Sequence, residues 1–232
     1  MNNLISFCLW GNEKKYTNGA LNNAILVKEL FTSEWKMKLY YNDTVDESLL
    51  NDLKKEGVIL SKVNKDESFK NMMWRFLPAE DASIDYFISR DLDSVLCERD
   101  LCVIEDWIES GKDFSIVRDH PWQGEVISGG MWGCKGGKVP HISELIEEYC
   151  KTKKQNHNRL LDLMFLKEII YEKYAKNSYI LHDEFFNWEG TAVKIKRDRK
   201  IDNYQFIGEA LNEHGVQRSL QREELKKYFG VE

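Results

Sequence analysis

Short apolar runs alternate with helical periodicity through the first half of the chain, and that alternation leaves few folds open. Runs at residues 4–10, 38–41, 58–60 and 84–88 have the length and content of buried strands. Between the first two, Ala20, Leu21, Ala24, Ile25 and Phe31 mark an apolar helix face that Thr17 can cap. Between the second and third, Thr44 and Glu47 match a capping box, with Gly57 placed to end the helix. Residues 69–76 predict a short helix stopped before Pro78. A β-α-β-α-β-α-β order implies an α/β, Rossmann-like fold, its sheet mostly parallel and its crossovers right-handed.

The second half continues the pattern less evenly. Cys97, Leu101, Ile104 and Ile108 define a helix ended by Gly111, followed by a strand at 114–117. Residues 125–128 are expected to be extended and lead into Gly129-Gly130-Met131-Trp132-Gly133. Ile142, Leu145, Ile146 and Tyr149 mark a helix, 160–171 a buried one, and 178–181 a late strand ending at His182-Asp183. A core of residues 1–185 is expected to carry an extension, 186–232, packed on it. That extension holds the basic run 194–200, either a lid or a solvated loop, and a terminal helix at 219–229.

The strand at 84–88 ends in Ser89-Arg90-Asp91-Leu92-Asp93-Ser94. On extended backbone, acids at i and i+2 emerge on one face about 7 Å apart. No GxGxxG follows the first strand and no GxxxxGK[ST] occurs, so a glycine cradle for phosphates is absent. Two carboxylates at a strand end then make the favoured clamp, holding Mg²⁺ or Mn²⁺ against a diphosphate. Arg75 and Arg90 are placed either on a phosphate or in ion pairs with Asp91. His182 is a possible third metal ligand, or a histidine at a strand end. In Arg118-Asp119-His120-Pro121, Asp119 or His120 could act as general base, and an ordinary turn fits equally well. Gly129 and Gly130 allow close approach of a ligand beside the Trp132 wall.

Bulk properties narrow the class. Apolar residues are 42% and aromatics 12% of 232, enough for a sizeable core. The net charge of −6 argues against general nucleic-acid binding. Five cysteines without CxxC spacing suggest reduced thiols and a cytoplasmic protein. The apolar run at 4–10 is too short to span a membrane.

Taken together, 87–94, Glu98-Arg99, Trp107, 118–121 and 129–133 resemble a group of nucleotide-sugar-dependent glycosyltransferases of the GT-A fold. Such domains occur in bacterial surface-polysaccharide clusters and in large DNA viruses, the chlorovirus capsid-glycan enzymes among them. The likeness extends through Trp10-Gly11, Lys15-Tyr16, Gly19-Ala20, 40–44 and 74–78, and covers roughly residues 4–185. It implies a metal-dependent hexosyl- or glycosyltransferase, with a UDP- or GDP-sugar donor and a glycan or lipid-linked acceptor. Asp93 would be the direct metal ligand, Asp91 would lie beside it or near the ribose, and His182 would complete the site. Leu9, Trp10, Gly11 and Tyr16 would hold base and ribose. Arg75, Arg90 and His120 would contact the nucleotide sugar, and Gly129, Gly130 and Trp132 would line the sugar and acceptor pocket. Asp119 first and Asp162 second are the candidate bases. Two positions depart from the group: Leu163 stands where a glutamine follows the acid at 162, and Val95 where an arginine follows Ser94. A non-catalytic binding module of the same fold, or a nucleotidyltransferase, are the rival readings.

Overall fold

The computed structural model describes residues 1–63, 69–153, 160–212, 214, 216 and 219–231. The strands are β1 (Asn3–Leu9), β2 (Trp35–Tyr41), β3 (Ile59–Lys62), β4 (Tyr86–Ser89), β5 (Phe114–Arg118), β6 (Trp132–Lys135) and β7 (Tyr179–Asp183). The helices are α1 (Lys14–Leu30), α2 (Glu47–Lys55), α3 (Glu98–Ser110), α4 (Ile142–Thr152), α5 (Leu161–Phe165) and α6 (Ser219–Tyr228). A 3₁₀ segment, Phe69–Glu80, precedes β4, and α5 runs on as a wider π-type turn over Leu166–Ala175.

One sheet runs in the order β3-β2-β1-β4-β6-β5-β7. All pairings are parallel except the two made by β6, which lies antiparallel between β4 and β5. The mixed, mostly parallel α/β sheet expected from the alternation is therefore present. The chain builds outward from β1 through β2 to β3, then returns to the other side of β1 as β4. That reversal makes a topological switch point between β1 and β4, where open α/β sheets form a crevice beyond the carboxyl ends of their strands.

Side-chain alternation splits the core between the two faces of the sheet. Leu4, Phe87, Phe114, Ile116 and Trp132 belong to the cluster that includes α4, α5 and the 3₁₀ segment. Ile5, Phe7, Leu39 and Ile88 belong to the cluster that includes α1, α2 and α3. The period of two within β1 and β4 therefore decides which helices each residue meets.

The structure corrects three boundaries. Thr17 lies inside α1, whose N-cap is Glu13, and its hydroxyl only turns back to Lys14 O at 3.3 Å. Thr44 caps nothing. Its hydroxyl accepts the Gly11 N–H at 2.7 Å and donates to Asn42 Oδ1 at 2.6 Å, tying the loop after β1 to the loop after β2. Pro78 sits within the 3₁₀ segment and does not follow it. Gly57 and Gly111 do end their helices, at φ of 81° and 68°, where a side chain would be strained.

Residues beyond 185 are stitched into the core. Leu211 N–H donates to Asp93 O at 2.6 Å, and Ser94 pairs with Ala210 in an isolated antiparallel bridge. The fully buried Glu209 accepts two hydrogen bonds from Arg222 of α6, at 2.5 and 2.7 Å. Ile207 N–H donates to Asp119 Oδ2 at 2.9 Å. Among the described residues, no helix is long and apolar enough to cross a membrane.

Candidate functional site

The crevice at the switch point has a volume of about 530 Å³. Cys8, Leu9 and Trp10 come from the end of β1, and Glu13, Lys15 and Tyr16 from the start of α1. Met72 and Arg75 come from the 3₁₀ segment, and Asp91, Leu92 and Asp93 from the turn after β4.

That turn is built to be rigid. Arg90 N–H extends the sheet pairing by donating to Ser6 O at 3.1 Å, and Ser94 closes the turn onto Asp91 O through both its N–H and its hydroxyl. Asn23 of α1 donates to Ser94 O at 2.8 Å and accepts from Leu96 N at 3.1 Å. A Cβ at Gly19 would overlap Leu92 O, so α1 meets this turn backbone to backbone.

The two acids are held differently. Asp91 pairs with Arg75, a buried guanidinium that also donates to Asp162 at 3.0 Å. Asp93 faces Lys15, whose Nζ is 3.4 Å away and lies over the Tyr16 ring. Burial, then repulsion by Asp91, raises the proton affinity of Asp93, with Lys15 opposing. Burial likewise raises that of Asp162, with the Arg75 charge opposing. A cation added between Asp91 and Asp93 would relieve the repulsion.

Gly129 and Gly130 belong to this site, but as space. A Cβ at Gly130 would overlap the Asp91 carboxylate, and one at Gly129 would overlap both Arg75 and Asp162. The loop is held by Ser89 Oγ, which donates to Gly129 O at 2.7 Å, and by Arg90, which donates to Gly130 O at 3.1 Å. Gly130→Ala is accordingly expected to displace Asp91 and weaken ligand binding by about tenfold or more while leaving the fold intact, as read by calorimetry beside a urea melt.

Six other expected site residues lie elsewhere. Asp119 is fully buried and has no open face: Arg99 binds both its oxygens at 2.7 Å, Arg199 a third way at 2.6 Å, and Ile207 N–H a fourth. A carboxylate so enclosed cannot meet an acceptor hydroxyl, so the base assignment at Asp119 is corrected to a structural ion cluster. His120 is wedged against Phe206, its Nε2 3.1 Å from Gln221 O. Arg90 is buried on Asp100, at 2.8 Å, instead of reaching a nucleotide. Trp132 is not a pocket wall: its side chain packs edge-on to Phe76 and Phe87 in the core. His182 projects to Asp106 of α3, Nε2 to Oδ2 being 3.4 Å, and not to the acidic pair. Gly11, at φ 67°, shapes the loop after β1 without lining the crevice.

His182 has a consequence for pH. Its Nδ1 is buried without a hydrogen-bond partner, and burial lowers its pKa from the ordinary 6.5 despite Asp106. Burial lowers that of His120 too. For a histidine held neutral in the fold, the stabilisation is complete above the unfolded pKa and is lost as pH falls through the folded one. Urea midpoints are expected to drop as pH falls below about 6.5, and His182→Gln to flatten that slope.

The sequence gives Cys8 and Met72 no site role, and Lys15 enters only within the Lys15-Tyr16 stretch of the resemblance. Lys15 had a signal: it sits in the loop after the first strand, beside Tyr16, at the edge that the acids share.

A metal at this pair would be held in one specific way. Magnesium-like ions take one or two carboxylates, several waters and substrate phosphate oxygens, in place of a full cage of side chains. Asp91 and Asp93 would supply those carboxylates, since both line the crevice. No group of three or more His, Cys, Asp or Glu side chains converges among the described residues, so a third ligand from His182 does not fit.

No family model matches the chain, and no curated protein matches it by sequence. Solved structures do. The galactosyltransferase LgtC, determined with donor and acceptor sugar analogues, superposes with a TM-score of 0.51 at 12% identity, over 78% of this chain and 73% of its own. The fold is GT-A. Looser likenesses include the glycosyltransferase GlyE of Streptococcus pneumoniae (TM-score 0.48, 14% identity, 75% of this chain and 45% of its own). A 4-diphosphocytidyl-2C-methyl-D-erythritol synthase of Anaerococcus prevotii gives 0.49 at 10% identity, over 87% of this chain and 93% of its own.

Proposed function

We propose that the chain transfers a sugar from a nucleoside-diphosphate donor to an acceptor hydroxyl, with Mg²⁺ or Mn²⁺ held by Asp91 and Asp93. The observation that carries this is the mutually repelling acid pair in a crevice at the topological switch point, whose lining also holds the aromatic rings of Trp10 and Tyr16 and the cations of Lys15 and Arg75. When bound, the ion supplies charge to the departing diphosphate. Trp10, Tyr16 and Leu9 give a base and ribose an apolar seat. Lys15 adds a positive charge beside Asp93 at the phosphate position. Arg75 fixes the direction of Asp91 while Asp162 and Gly129 fix Arg75. Of the two acids considered for the acceptor proton, Asp162 is the one near the crevice, and its raised proton affinity suits a base.

Calorimetry with UDP- and GDP-sugars, with and without Mn²⁺, tests the donor half, and hydrolysis of a nucleotide-sugar panel tests the chemistry. Metal-dependent binding with turnover is expected. Binding without turnover would favour a non-catalytic module, and pyrophosphate release from a nucleoside triphosphate would favour nucleotidyl transfer. No metal-dependent binding to any donor would overturn the reading.

A further inference from the structure

Two tryptophans stand open on the same edge of the sheet as the acidic pair. Trp122 follows β5 and Trp188 follows β7, and each is 60% exposed. Strands β5 and β7 run parallel to each other, and both run in the direction of β4, because β6 is antiparallel to β4 and to β5. Their carboxyl ends therefore share the edge that carries Asp91 and Asp93. In the strand order, β5 is two places from β4 and β7 three, which puts the ends of those strands roughly 10–15 Å along that edge.

These side chains are exposed yet fixed. The Arg118 guanidinium lies 5.1 Å from the Trp188 ring centre. Arg118 itself is buried and fully engaged, by Asp183 at 3.0 Å, Glu189 at 2.7 Å, and the carbonyls of Glu125 and Val126 at 2.8 and 2.9 Å. Phe186 packs against Trp188 at 4.7 Å. Both rings also pack beside Gly124, where a Cβ would make ordinary contact with Phe186 and Trp188. The Trp122 ring stands edge-on to His120 at 5.2 Å. A rigid exposed aromatic loses little entropy when a ligand stacks on it.

The platform is continuous with the crevice. The loop that begins at Trp122 ends at Gly129 and Gly130, against Arg75, Asp91 and Asp162, and Arg118 grips its middle through Glu125 and Val126. Its rim carries exposed Glu125 and Asn187, and the Glu125 carboxylate disfavours an anionic surface as the occupant. A neutral polyhydroxylated chain fits: its C–H faces meet the electron-rich ring faces, and its hydroxyls meet the rim.

We propose that Trp122 and Trp188 form an acceptor platform that binds an oligosaccharide at sugars beyond the one that receives the transferred residue. The proposal rests on the transferase reading for the word acceptor, but the binding itself is separately measurable. The full chain is applied to an array of mono- to hexasaccharides. The expected result is a glycan bound better as an oligomer than as its terminal monosaccharide, with binding about tenfold weaker in Trp188→Ala and in Trp122→Ala and restored in part by Trp188→Phe. The second measurement is the ratio of kcat/KM for the oligosaccharide to that for the monosaccharide, expected to fall about tenfold in the same variants. No length dependence, or length dependence unchanged in both variants, overturns the platform. Length-dependent binding by a chain that transfers no sugar would overturn the transferase reading and leave the platform standing.

Discussion

Asp93→Asn is expected to abolish metal-dependent donor binding, a loss of about a hundredfold or more, while Asp91→Asn weakens it by about tenfold. The asymmetry follows from their partners. Asp91 already shares its charge with the buried Arg75. Asp93 faces a single lysine 3.4 Å away on a flexible stem, which can move to a phosphate when a cation arrives. Calorimetry with and without Mn²⁺ reads both variants directly. Equal losses would show that the two acids act as one symmetrical clamp. Stability should move the other way in Asp93→Asn, because removing one of two repelling, half-buried acids relieves the unliganded turn.

The second large effect is on folding. Asp119→Asn leaves Arg99 and Arg199 facing a neutral amide inside the protein, and both guanidinium groups are nearly or fully buried. Removing one partner of a buried ionic cluster costs about 3–5 kcal/mol, which in a chain of this size corresponds to roughly 10 °C of Tm. Donor affinity per folded molecule should change little. A general base would behave oppositely, with full stability and lost turnover. Thermal melts set beside donor calorimetry therefore separate the two roles. A variant that melts normally but is inactive would return Asp119 to the chemistry.

The contrast between these two aspartates shows where sequence reading reaches and where it stops. The alternation of strands and helices, the position of the acidic turn and the loop after β1 are local patterns, and all of them follow from periods of two and 3.6 residues. The insertion of β6 is not local. Its four residues, Trp132–Lys135, carry no periodicity of their own, and pairing with β4 and β5 is decided by register across the sheet. The same limit misplaced Trp132, an aromatic beside two glycines that turned inward because β6 offers that face to Phe76 and Phe87. Asp119 and His120 follow a strand just as Asp91 does, so spacing alone could not tell a crevice from an ion cluster. What separates them is Arg199, eighty positions away. Arg75 was legible in part. Pairing with Asp91 was one of its two readings, but its second partner, Asp162, comes from α5 and needed the tertiary structure.

The bond from Leu211 N to Asp93 O sets an order of events during synthesis. Residues 1–110 can emerge and begin to pair with one another, yet the turn bearing both acids lacks one of its backbone partners until residue 211 has left the ribosome. A contact spanning more than a hundred residues closes late, because the intervening chain must first be ordered. The acidic turn thus gains this last backbone partner only after the rest of its contacts can form. A nascent or clipped chain ending near residue 185 would carry the acidic pair without the bond from Leu211, its turn still held by Ser6 and Asn23.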